Sequence, residues 1–417
     1  MVVKVPYGKD EIIDINIDDK FVSEIVNPNK VPVGNEKKTI QNAVSNPINS
    51  KNFHDFLRDS KDVLFIVNDA TRPTPTAKVL DIIYDDIKDY NIKFIVATGI
   101  HRAPTEDEYV QIFGKQYQEF KDIIYAHDSK KEEDMVYLGT SKNGTEMLVN
   151  KIGVDADKIV IIGSVEPHYF AGYTGGRKSF LPGIASYKTI EQNHKLALSP
   201  KAKSLALEGN PVHEDMIDAL KTVKKDIFAI MTILDMDHNI YSATSGNIND
   251  SFTAAIEKAN DVFVVKIKEK VDIVVSIAKF PMDIDLYQSQ KAIDNAKLAL
   301  KKDGILILVS KCRHGIGHET FVNLMSSCGS PKEVFEKIEK EYVVGYHKAA
   351  KMAEIGLWAQ MWGITDLPHD VLQKVFIKPF NSLQVAIDSA LELKGENAQI
   401  LFMMDGSVTV PMLSDYQ

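Results

Sequence analysis

The hydrophobic residues of this chain fall into short continuous runs that alternate with longer amphipathic segments. Uninterrupted apolar runs of about four to eight residues are typical of strands buried on both faces of a parallel sheet. The runs that predict strands are 63–67, 94–97, 159–162, 227–234, 262–267, 272–278, 305–309, 375–377 and 400–403. The segments that predict helices are 37–57, 76–90, a stretch starting near 186, 208–222, 249–259, 287–301, 331–340 and 385–393.

Strands and helices alternate through both halves, which predicts an α/β fold of two domains with largely parallel sheets. The first 35 residues predict a hairpin, and the charged segment KIKEK (266–270) is the best candidate linker. We therefore expect an N-terminal domain over 1–268 and a C-terminal domain over 269–403. The last residues, 404–417, are expected to pack back on the N-terminal domain.

Composition and charge narrow the class of protein. Of 417 residues, 44% are hydrophobic and 26% are charged, as in ordinary globular proteins. The net charge of -9 argues against nucleic acid as the main partner. We expect no membrane span, because no run of about eighteen apolar residues occurs. The N-terminus has no apolar core typical of a signal peptide, and the two cysteines form no CxxC pair. A reducing, cytoplasmic location is therefore expected.

Chemically distinctive side chains follow the ends of predicted strands. Ligands of open α/β sheets bind outside the carboxyl ends of the strands. Three of these groups follow strands of the N-terminal domain, and the fourth belongs to the C-terminal domain, so we expect a small-molecule site in a cleft between domains. The groups are Asp69 with Arg72, His101, His168 with Lys178, and Tyr287 with Gln288 and Lys291.

The stretch 159–194 is the most unusual. A strand-like run leads into a glycine-rich loop that holds His168 and Lys178, and His194 follows on a predicted helix. Imidazole suits proton transfer near neutral pH and also binds nickel, zinc, copper or iron. A desolvated amine is a candidate for covalent attachment. Two other interpretations stay open: GGRKS (175–179) as a phosphate-binding loop, and a plain loop with incidental histidines.

The segment DATRPTP (69–75) places an acid, a hydroxyl and an arginine on a turn stiffened by prolines. A helix starting near Pro75 would offer backbone N–H groups to a phosphate or carboxylate, and Arg72 could add a bidentate contact. The alternative is a turn in which Asp69 merely caps the helix. No Walker motif is present and no GxGxxG follows an early strand, which disfavours P-loop enzymes and plain NAD-dependent dehydrogenases.

Two further segments contain residues that indicate a functional site less specifically. His314 and His318, in CRHGIGHE (312–319), are spaced for zinc binding on a helix, but the intervening glycines make a helix poor there. We expect a loop that shapes substrate choice. Trp358 and Trp362 are spaced to share one side of a helix, where core packing is expected.

Taken together, the motifs DATRPTP, TGIHR (98–102), EPHYFAGYTGGRKSFLPGI (166–184) with a following Asn-His, and YQSQK (287–291) identify a resemblance. In this order and spacing the chain resembles the nickel-dependent lactate racemase family, over nearly its full length. His168, Lys178 and His194 keep the family's intervals of ten and sixteen residues.

The resemblance implies a cofactor, the nickel-pincer nucleotide, which is a pyridinium-3,5-bisthiocarboxylic acid mononucleotide that holds nickel(II). It implies a thioamide link to Lys178 and a nickel ligand at His194. It further implies His101 and His168 as paired acid and base. Cofactor contacts would come from Asp69, Ala70, Thr71 and Arg72, and substrate contacts from Arg72, Tyr287, Gln288 and Lys291.

The function that follows from the resemblance is racemisation of lactate or a related short-chain 2-hydroxyacid, with loading by cofactor-biosynthesis proteins. An alternative is the same chemistry on a larger acid, such as malate, 2-hydroxyglutarate, phenyllactate or a sugar acid. His314, His318 and Arg102 are extra polar groups that could meet its second polar end. A different class of alternative is a non-catalytic cofactor carrier, against which the presence of both His101 and His168 argues.

Overall fold

The computed structural model describes residues 1–414 and divides into two compact units. The N-half unit comprises residues 30–262, and the C-half unit comprises residues 1–29 together with the chain from 263 onward. The α/β class with largely parallel sheets is confirmed. Within residues 1–414, no helix is both long and apolar enough to cross a membrane.

The first 29 residues differ from the predicted division, which assigned them to the N-terminal domain. Val22–Val26 pairs in parallel with Ile400–Met403 and so extends the sheet of the C-half unit. The hairpin Val2–Tyr7 and Glu11–Asn16 buries Val3, Val5 and Ile15 in the core of that same unit. This pairing joins segments at opposite ends of the chain, which no local pattern encodes.

The end of the chain also packs within the C-half unit. Val410–Leu413 pairs in parallel with Val264–Ile267, a strand inside the range 1–268 on which the last residues were expected to pack. The difference is that this strand belongs to the C-half unit. The division falls between residues 262 and 263, a few residues before KIKEK. Residues 415–417 of that expected segment lie outside the described residues.

The N-half unit is organised around a sheet that, within the described chain, has six strands, all parallel except for the first pair. In order across the sheet, the strands are Ile240–Asn247, Asp226–Leu234, Lys158–Ser164, Val63–Asn68, Ile92–Ala97 and Ile124–Ala126. Two small hairpins pair Met135–Thr140 with Glu146–Asn150 and Pro167–His168 with Gly172–Tyr173. The helices are Glu36–Ser45, Phe53–Leu57, Thr76–Ile87, Glu106–Phe113, Tyr117–Phe120, Ile152–Asp155, Tyr187–Lys195, Pro211–Thr222 and Ile248–Phe263.

The C-half unit has an entirely parallel sheet, again of six strands over the described residues. In order across the sheet, the strands are Ile377–Pro379, Gln360–Ile364, Leu300–Val309, Val271–Ile277, Ile400–Met403 and Val22–Val26. The helices are Leu286–Ala296, Glu319–Ser326, Pro331–Lys340, Tyr346–Gly356, His369–Gln373 and Leu383–Lys394.

The apolar runs form strands because both faces of each sheet are covered. Residues 63–67 and 159–162 are fully buried. Helices such as Thr76–Ile87 pack their apolar side on the sheet through Val79, Leu80 and Ile83. The chain leaves each parallel strand at the same edge, where the predicted chemical groups begin.

Two local predictions were wrong. The predicted helix 37–57 is interrupted after Ser45, because Pro47, two residues further on, lacks the N–H that a helix needs. Trp358 and Trp362 do not share a helix: Trp358 lies in a turn, and Trp362 lies in the strand Gln360–Ile364. Trp362 is 2% exposed and packs its ring 4.7 Å from that of Phe380, so the expectation of core packing is confirmed for it.

Candidate active site

Strand Val63–Asn68 leads directly into an acid that holds His101. The Nδ1 atom of His101 lies 2.7 Å from Oδ2 of Asp69, and Oδ1 of Asp69 accepts a 2.7 Å hydrogen bond from Thr71. Burial raises the pKa of Asp69, but the hydrogen bond and charge of His101, with Thr71 and Arg72, outweigh it and bring that pKa below its ordinary value. The ionised carboxylate accepts the proton of Nδ1. His101, whose side chain is 45% exposed, therefore keeps the lone pair of Nε2 for use as a base.

Polar contacts connect the turn after Asp69 with residues 164–166, which precede His168. Thr74 Oγ1 lies 2.8 Å from Oγ of Ser164, and Nη1 of Arg72 lies 3.4 Å from Oε1 of Glu166. Helix Thr76–Ile87 begins here without a side-chain cap from its N-cap residue. The predicted cofactor-binding turn 69–72, which includes Ala70, thus lies at the carboxyl edge of the sheet, beside the glycine-rich loop.

A phenyl ring lies at the centre of the glycine-rich segment. The Phe170 ring is 4.6 Å from the His168 ring and 5.1 Å from the His194 ring, measured between centroids, in edge-to-face orientations. Nζ of Lys178 lies 5.7 Å from the same centroid. The structure therefore gathers His168, Lys178 and His194 around one aromatic side chain, which the sequence pattern did not single out.

His168 has the opposite hydrogen-bond pattern from His101. Its Nδ1 accepts a 3.2 Å hydrogen bond from the backbone N–H of Ala171. In the neutral ring, the proton then resides on Nε2. The neutral His168 ring thus has its N–H on Nε2, whereas His101 has a lone pair there. The two rings differ in the tautomer that their hydrogen bonds favour.

His194 is held as a neutral imidazole. It lies on helix Tyr187–Lys195, whose N-terminus is capped by the side chain of Ser186. Burial, followed by the charge of Lys178, lowers the pKa of His194 to about 3, against an opposing effect of the Ile190 carbonyl. A neutral imidazole with a lone pair is the form that binds a metal.

Arg177 stabilises the loop between His168 and Lys178. It is 1% exposed and donates hydrogen bonds to the carbonyls of Ala171, Gly175 and Thr174, at 2.7, 3.2 and 3.4 Å. Its guanidinium lies 4.4 Å from the centroid of Phe252. Burial lowers the pKa of Arg177 to about 9, so the group stays protonated at neutral pH. Three carbonyl groups of the loop therefore converge on the guanidinium of Arg177. The sequence pattern did not indicate this structural role of Arg177.

A second residue that the sequence analysis missed is His127. Nε2 of its buried ring lies 2.9 Å from the carbonyl of Ala185, and its own carbonyl accepts a 2.6 Å hydrogen bond from Thr98. Nearby, Gly99 donates a 3.0 Å backbone hydrogen bond to Gly183. These contacts join the loop of His101 to the loop that follows Lys178. His127 follows the strand Ile124–Ala126, which has only three residues and was not predicted from the sequence. The strand-end rule used for the other residues therefore did not point to His127.

Buried neutral histidines predict a loss of stability in acid. Burial lowers the pKa of His127, and burial followed by the charge of Arg177 lowers that of His213 to about 3. His194 and His213 stay neutral in the fold, and His127 is harder to protonate there than in the unfolded chain, which binds protons from about pH 6.5 downward. Stability is therefore full above that pH and is lost as the pH falls toward 3. A fully buried neutral histidine contributes about 2 kcal/mol of this loss between about pH 7.5 and 5.

Urea denaturation at these two pH values tests the prediction. We expect His213→Gln to lose less stability on acidification than the wild type, by about 1 kcal/mol after allowance for partial solvent screening. His54, which is exposed, supplies the control: His54→Gln should keep the wild-type difference. Equal losses in His213→Gln and the wild type would contradict the prediction.

In the C-half unit, Tyr287, Gln288 and Lys291 occupy the first turns of helix Leu286–Ala296. Asp285 caps this helix through a 2.6 Å hydrogen bond from the backbone N–H of Gln288. Burial raises the pKa of Asp285, whereas the backbone hydrogen bond from Gln288 and the charges of Lys348 and Lys291 oppose that rise. Burial, followed by the charge of Asp285, raises the pKa of Tyr287 to about 12, so its phenol keeps its proton. The start of this helix therefore combines the ammonium group of Lys291 and the neutral phenol of Tyr287 with the carboxyl group of Asp285.

The loop that contains His314 and His318 completes the start of the same helix. Backbone carbonyls of Gly315 and Ile316 accept the N–H groups of Leu286 and Tyr287, at 3.2 and 3.1 Å. The two histidines do not share a helix, as expected from the intervening glycines, because the next helix begins only at Glu319. Across residues 1–414, no group of three or more His, Cys, Asp or Glu side chains is placed to hold a metal ion.

Both halves of the chain are similar in sequence to known protein families. Residues 7–205 match the lactate racemase N-terminal domain family, and residues 265–410 match the lactate racemase C-terminal domain family. The lactate racemase of Thermoanaerobacterium thermosaccharolyticum is 30% identical over 419 residues, which cover 97% of each protein. The lactate racemase of Lactiplantibacillus plantarum is 29% identical over 420 residues, covering 97% of this chain and 98% of that protein.

Solved structures agree with these matches. The lactate racemase apoprotein from Thermoanaerobacterium thermosaccharolyticum superposes with a TM-score of 0.93 at 29% identity, covering 99% of this chain and 100% of that one. A protein from Thermotoga maritima superposes with a TM-score of 0.70 at 17% identity, covering 93% of this chain and 100% of that one. The second likeness concerns the fold alone.

Proposed function

Because the chain belongs to the lactate racemase family, we propose that it interconverts the D and L enantiomers of lactate or a closely related short-chain 2-hydroxyacid. The observation that carries the proposal is the complementary state of two imidazoles. His101 keeps a lone pair on Nε2 because Asp69 takes the proton of Nδ1. His168 keeps a proton on Nε2 because its Nδ1 accepts from Ala171.

Racemisation of a 2-hydroxyacid requires this kind of pair. The Cα–H beside a carboxylate is too weakly acidic for easy deprotonation, whereas removal of hydride becomes easier as the hydroxyl loses its proton. The two enantiomers present their hydroxyl groups in different directions, so one base cannot serve both. In the proposed mechanism, one histidine removes the hydroxyl proton of the incoming enantiomer, and the other returns a proton to the oxygen of the outgoing enantiomer.

The buried residues of the glycine-rich segment fit the cofactor of this family. The chemistry that a nickel-pincer nucleotide supplies when bound is reversible acceptance of the Cα hydride. We propose that Lys178 holds it through a thioamide and that His194 supplies the nitrogen ligand to nickel(II). The low pKa of His194 supports this assignment, because the ring is neutral and its lone pair is available. The turn 69–72 would hold the nucleotide, with loading carried out by separate biosynthetic proteins.

We assign the substrate carboxylate to Tyr287, Gln288 and Lys291, with Arg72 as a further cation. Support comes from the ammonium group of Lys291 at the start of helix Leu286–Ala296, which is close enough to Asp285 to oppose the rise of its pKa. A clamped carboxylate fixes the orientation of Cα, which lowers the entropic part of the barrier. Arg102, considered for a larger substrate, is engaged elsewhere: it forms hydrogen bonds of 2.7 and 2.8 Å to both carboxylate oxygens of Glu108.

The proposal is tested with protein co-expressed with the cofactor-biosynthesis proteins. We expect conversion of D-lactate to L-lactate and the reverse, measured by chiral chromatography. A panel containing malate, 2-hydroxyglutarate, phenyllactate and sugar acids separates lactate from larger substrates. Protein that carries the cofactor but racemises none of these acids would refute the proposal and favour the carrier interpretation.

Asp69→Asn tests the role of His101. An amide can present its own N–H to Nδ1, which would leave His101 in the wrong tautomer for a base at Nε2. We expect kcat/KM to fall about 100-fold, between the effects known for orienting groups of metal ligands and of catalytic histidines. Asn68→Asp, at the neighbouring position, is a comparison that adds a carboxylate without removing Asp69. Unchanged kcat/KM in Asp69→Asn would remove His101 from the proposed mechanism.

We further propose a cytoplasmic location. Cys312 and Cys328 are both free and buried, as expected where thiols stay reduced. Cell fractionation of the source organism would test it.

A further inference from the structure

Helix Tyr346–Gly356 places a buried lysine against the first turn of helix Leu286–Ala296. Lys348 is 4% exposed, and its Nζ lies 3.6 Å from the centroid of the Tyr287 ring. The same ammonium donates a hydrogen bond to the backbone carbonyl of Tyr287. A desolvated cation close to an aromatic face is attracted by the ring quadrupole. Lys348 therefore holds the ring and the backbone of Tyr287 together.

Lys348 contacts the same helix at a second point. Its backbone carbonyl accepts a 3.0 Å hydrogen bond from Nε2 of Gln290, a buried side chain. Tyr287 and Gln290 are three residues apart and thus neighbours on one side of the helix. Lys348 contacts the helix at both positions and restrains its first turn against rotation and sliding.

The remaining contacts of Tyr287 leave its ring little freedom. The His318 ring lies 5.6 Å away at an interplanar angle of 29°, and the Phe321 ring lies 5.8 Å away at 73°. Gly317 has φ +100°, and a Cβ there would come within 2.5 Å of Cβ of Tyr287. Only glycine allows the loop to approach so closely. The aromatic ring is enclosed by groups from three separate segments.

The charge of Lys348 also acts at the helix start. Lys348 and Lys291 both oppose the effect of burial on the pKa of Asp285, and Lys348 has the larger effect of the two. Asp285 in turn caps the backbone N–H of Gln288. Lys348 thus favours the ionised form of Asp285, the residue that caps this turn, and adds positive charge beside it.

From these contacts we infer that Lys348 is a positioning residue for substrate binding, which orients Tyr287 and the helix turn that carries Gln288 and Lys291. The inference rests on the proposed function, because it takes these residues to bind the carboxylate of the 2-hydroxyacid. An isolated lysine in an amphipathic helix gives no such signal in the sequence. Lys348 gains the role only through its contact with a helix some sixty residues earlier in the chain.

Lys348→Met in the full-length, cofactor-loaded enzyme is the central experiment. Methionine keeps the length and apolar stem but removes the charge and the hydrogen-bond donors. We expect KM for both lactate enantiomers to rise about tenfold or more, because Tyr287 and the first helix turn lose the contacts that hold them in the orientation for carboxylate binding. We expect kcat to change by no more than about threefold, because the reacting groups are untouched.

Lys351→Met is the matched control. Lys351 lies on the same helix and is also 4% exposed, and its pKa is affected by burial and by Lys297, Asp294 and Glu354 rather than by the Tyr287 cluster. We expect its KM to stay within about twofold of the wild type. Thermal unfolding of each variant records any general loss of stability. If Lys348→Met does not fold, Lys348→Gln takes its place.

A double variant tests whether Lys348 acts through Tyr287. In a Tyr287→Leu background the contact with the ring is already lost, whereas the hydrogen bond to the backbone carbonyl of residue 287 remains. Adding Lys348→Met there should therefore raise KM by clearly less than it does in the wild type. A readout without activity comes from fluorine NMR of a ring-fluorinated tyrosine at position 287 in the apoprotein. Its resonance should shift or broaden in Lys348→Met and keep its wild-type position in Lys351→Met.

Two results would overturn the inference: equal KM values in Lys348→Met and Lys351→Met, or an undiminished effect in the Tyr287→Leu background. A loaded wild-type enzyme that racemises no 2-hydroxyacid would instead remove the proposed function. In that event, an unchanged fluorine resonance in Lys348→Met would show that Lys348 does not orient Tyr287 either.

Discussion

Replacement of both His101 and His168 by alanine is expected to abolish racemisation while cofactor loading stays intact. General acid and base groups each contribute about 10²- to 10⁴-fold to a rate, so the double variant should lose at least about 10⁴-fold in kcat/KM. Each single variant should be impaired in both directions, because interconversion needs one histidine to remove a proton and the other to return one. Chiral chromatography with both lactate enantiomers measures the loss.

His54→Ala, which replaces an exposed histidine, is the control for this pair and should retain the wild-type rate. Intact mass spectrometry of every variant establishes that the cofactor is loaded. Substantial racemisation by the loaded double variant would show that other groups transfer the protons. Loss of loading in either single variant would instead assign that histidine to cofactor binding.

Lys178→Ala is expected to eliminate both the covalent cofactor and the activity. The amine of Lys178 is a primary nucleophile at the edge of the buried cluster around Phe170, and alanine offers no atom for a thioamide. Intact mass of protein co-expressed with the biosynthetic proteins should show a nucleotide-sized addition in the wild type and none in the variant. Peptide mapping should place the addition on Lys178.

Lys178→Arg separates attachment from charge. Arginine keeps the positive charge near His194 but is a poor nucleophile, because its guanidinium stays protonated. We expect it to behave like Lys178→Ala in mass and activity. A covalent addition that persists in Lys178→Arg or maps to another lysine would place the attachment elsewhere and remove the main support for the proposed cofactor geometry.

The residues that follow strands in the candidate site could be predicted from the sequence, whereas those defined by their packing could not. His101, His168 and Lys178 all follow apolar runs, and parallel strands deliver their carboxyl ends to one edge of a sheet. Position along the chain was therefore enough to nominate them. Phe170 and Arg177 lie in the same loop, but the sequence alone assigned them no packing role, since an aromatic ring or a buried cation gains its role only from its packing partners.

His127 and Lys348 show more clearly which roles cannot be predicted from the sequence. His127 joins two loops through Ala185 and Thr98, and Lys348 orients Tyr287 from another helix. Neither belongs to a motif. Their contacts connect residues far apart in the chain, and such contacts arise only once the sheets and helices have packed.

The amino-acid sequence by itself determined the alternation of strands and helices, the parallel character of the sheets and the order in which chemical groups reach their edges. These features depend on hydrophobic periodicity and on turn residues, which act over a few neighbouring positions. Only the tertiary structure decided that the first 29 residues join the C-half unit, that Trp362 lies in a strand, and which nitrogen of His101 and His168 holds a proton. Each of these depends on a partner distant in sequence, since strand pairing and hydrogen bonding are set by proximity in space.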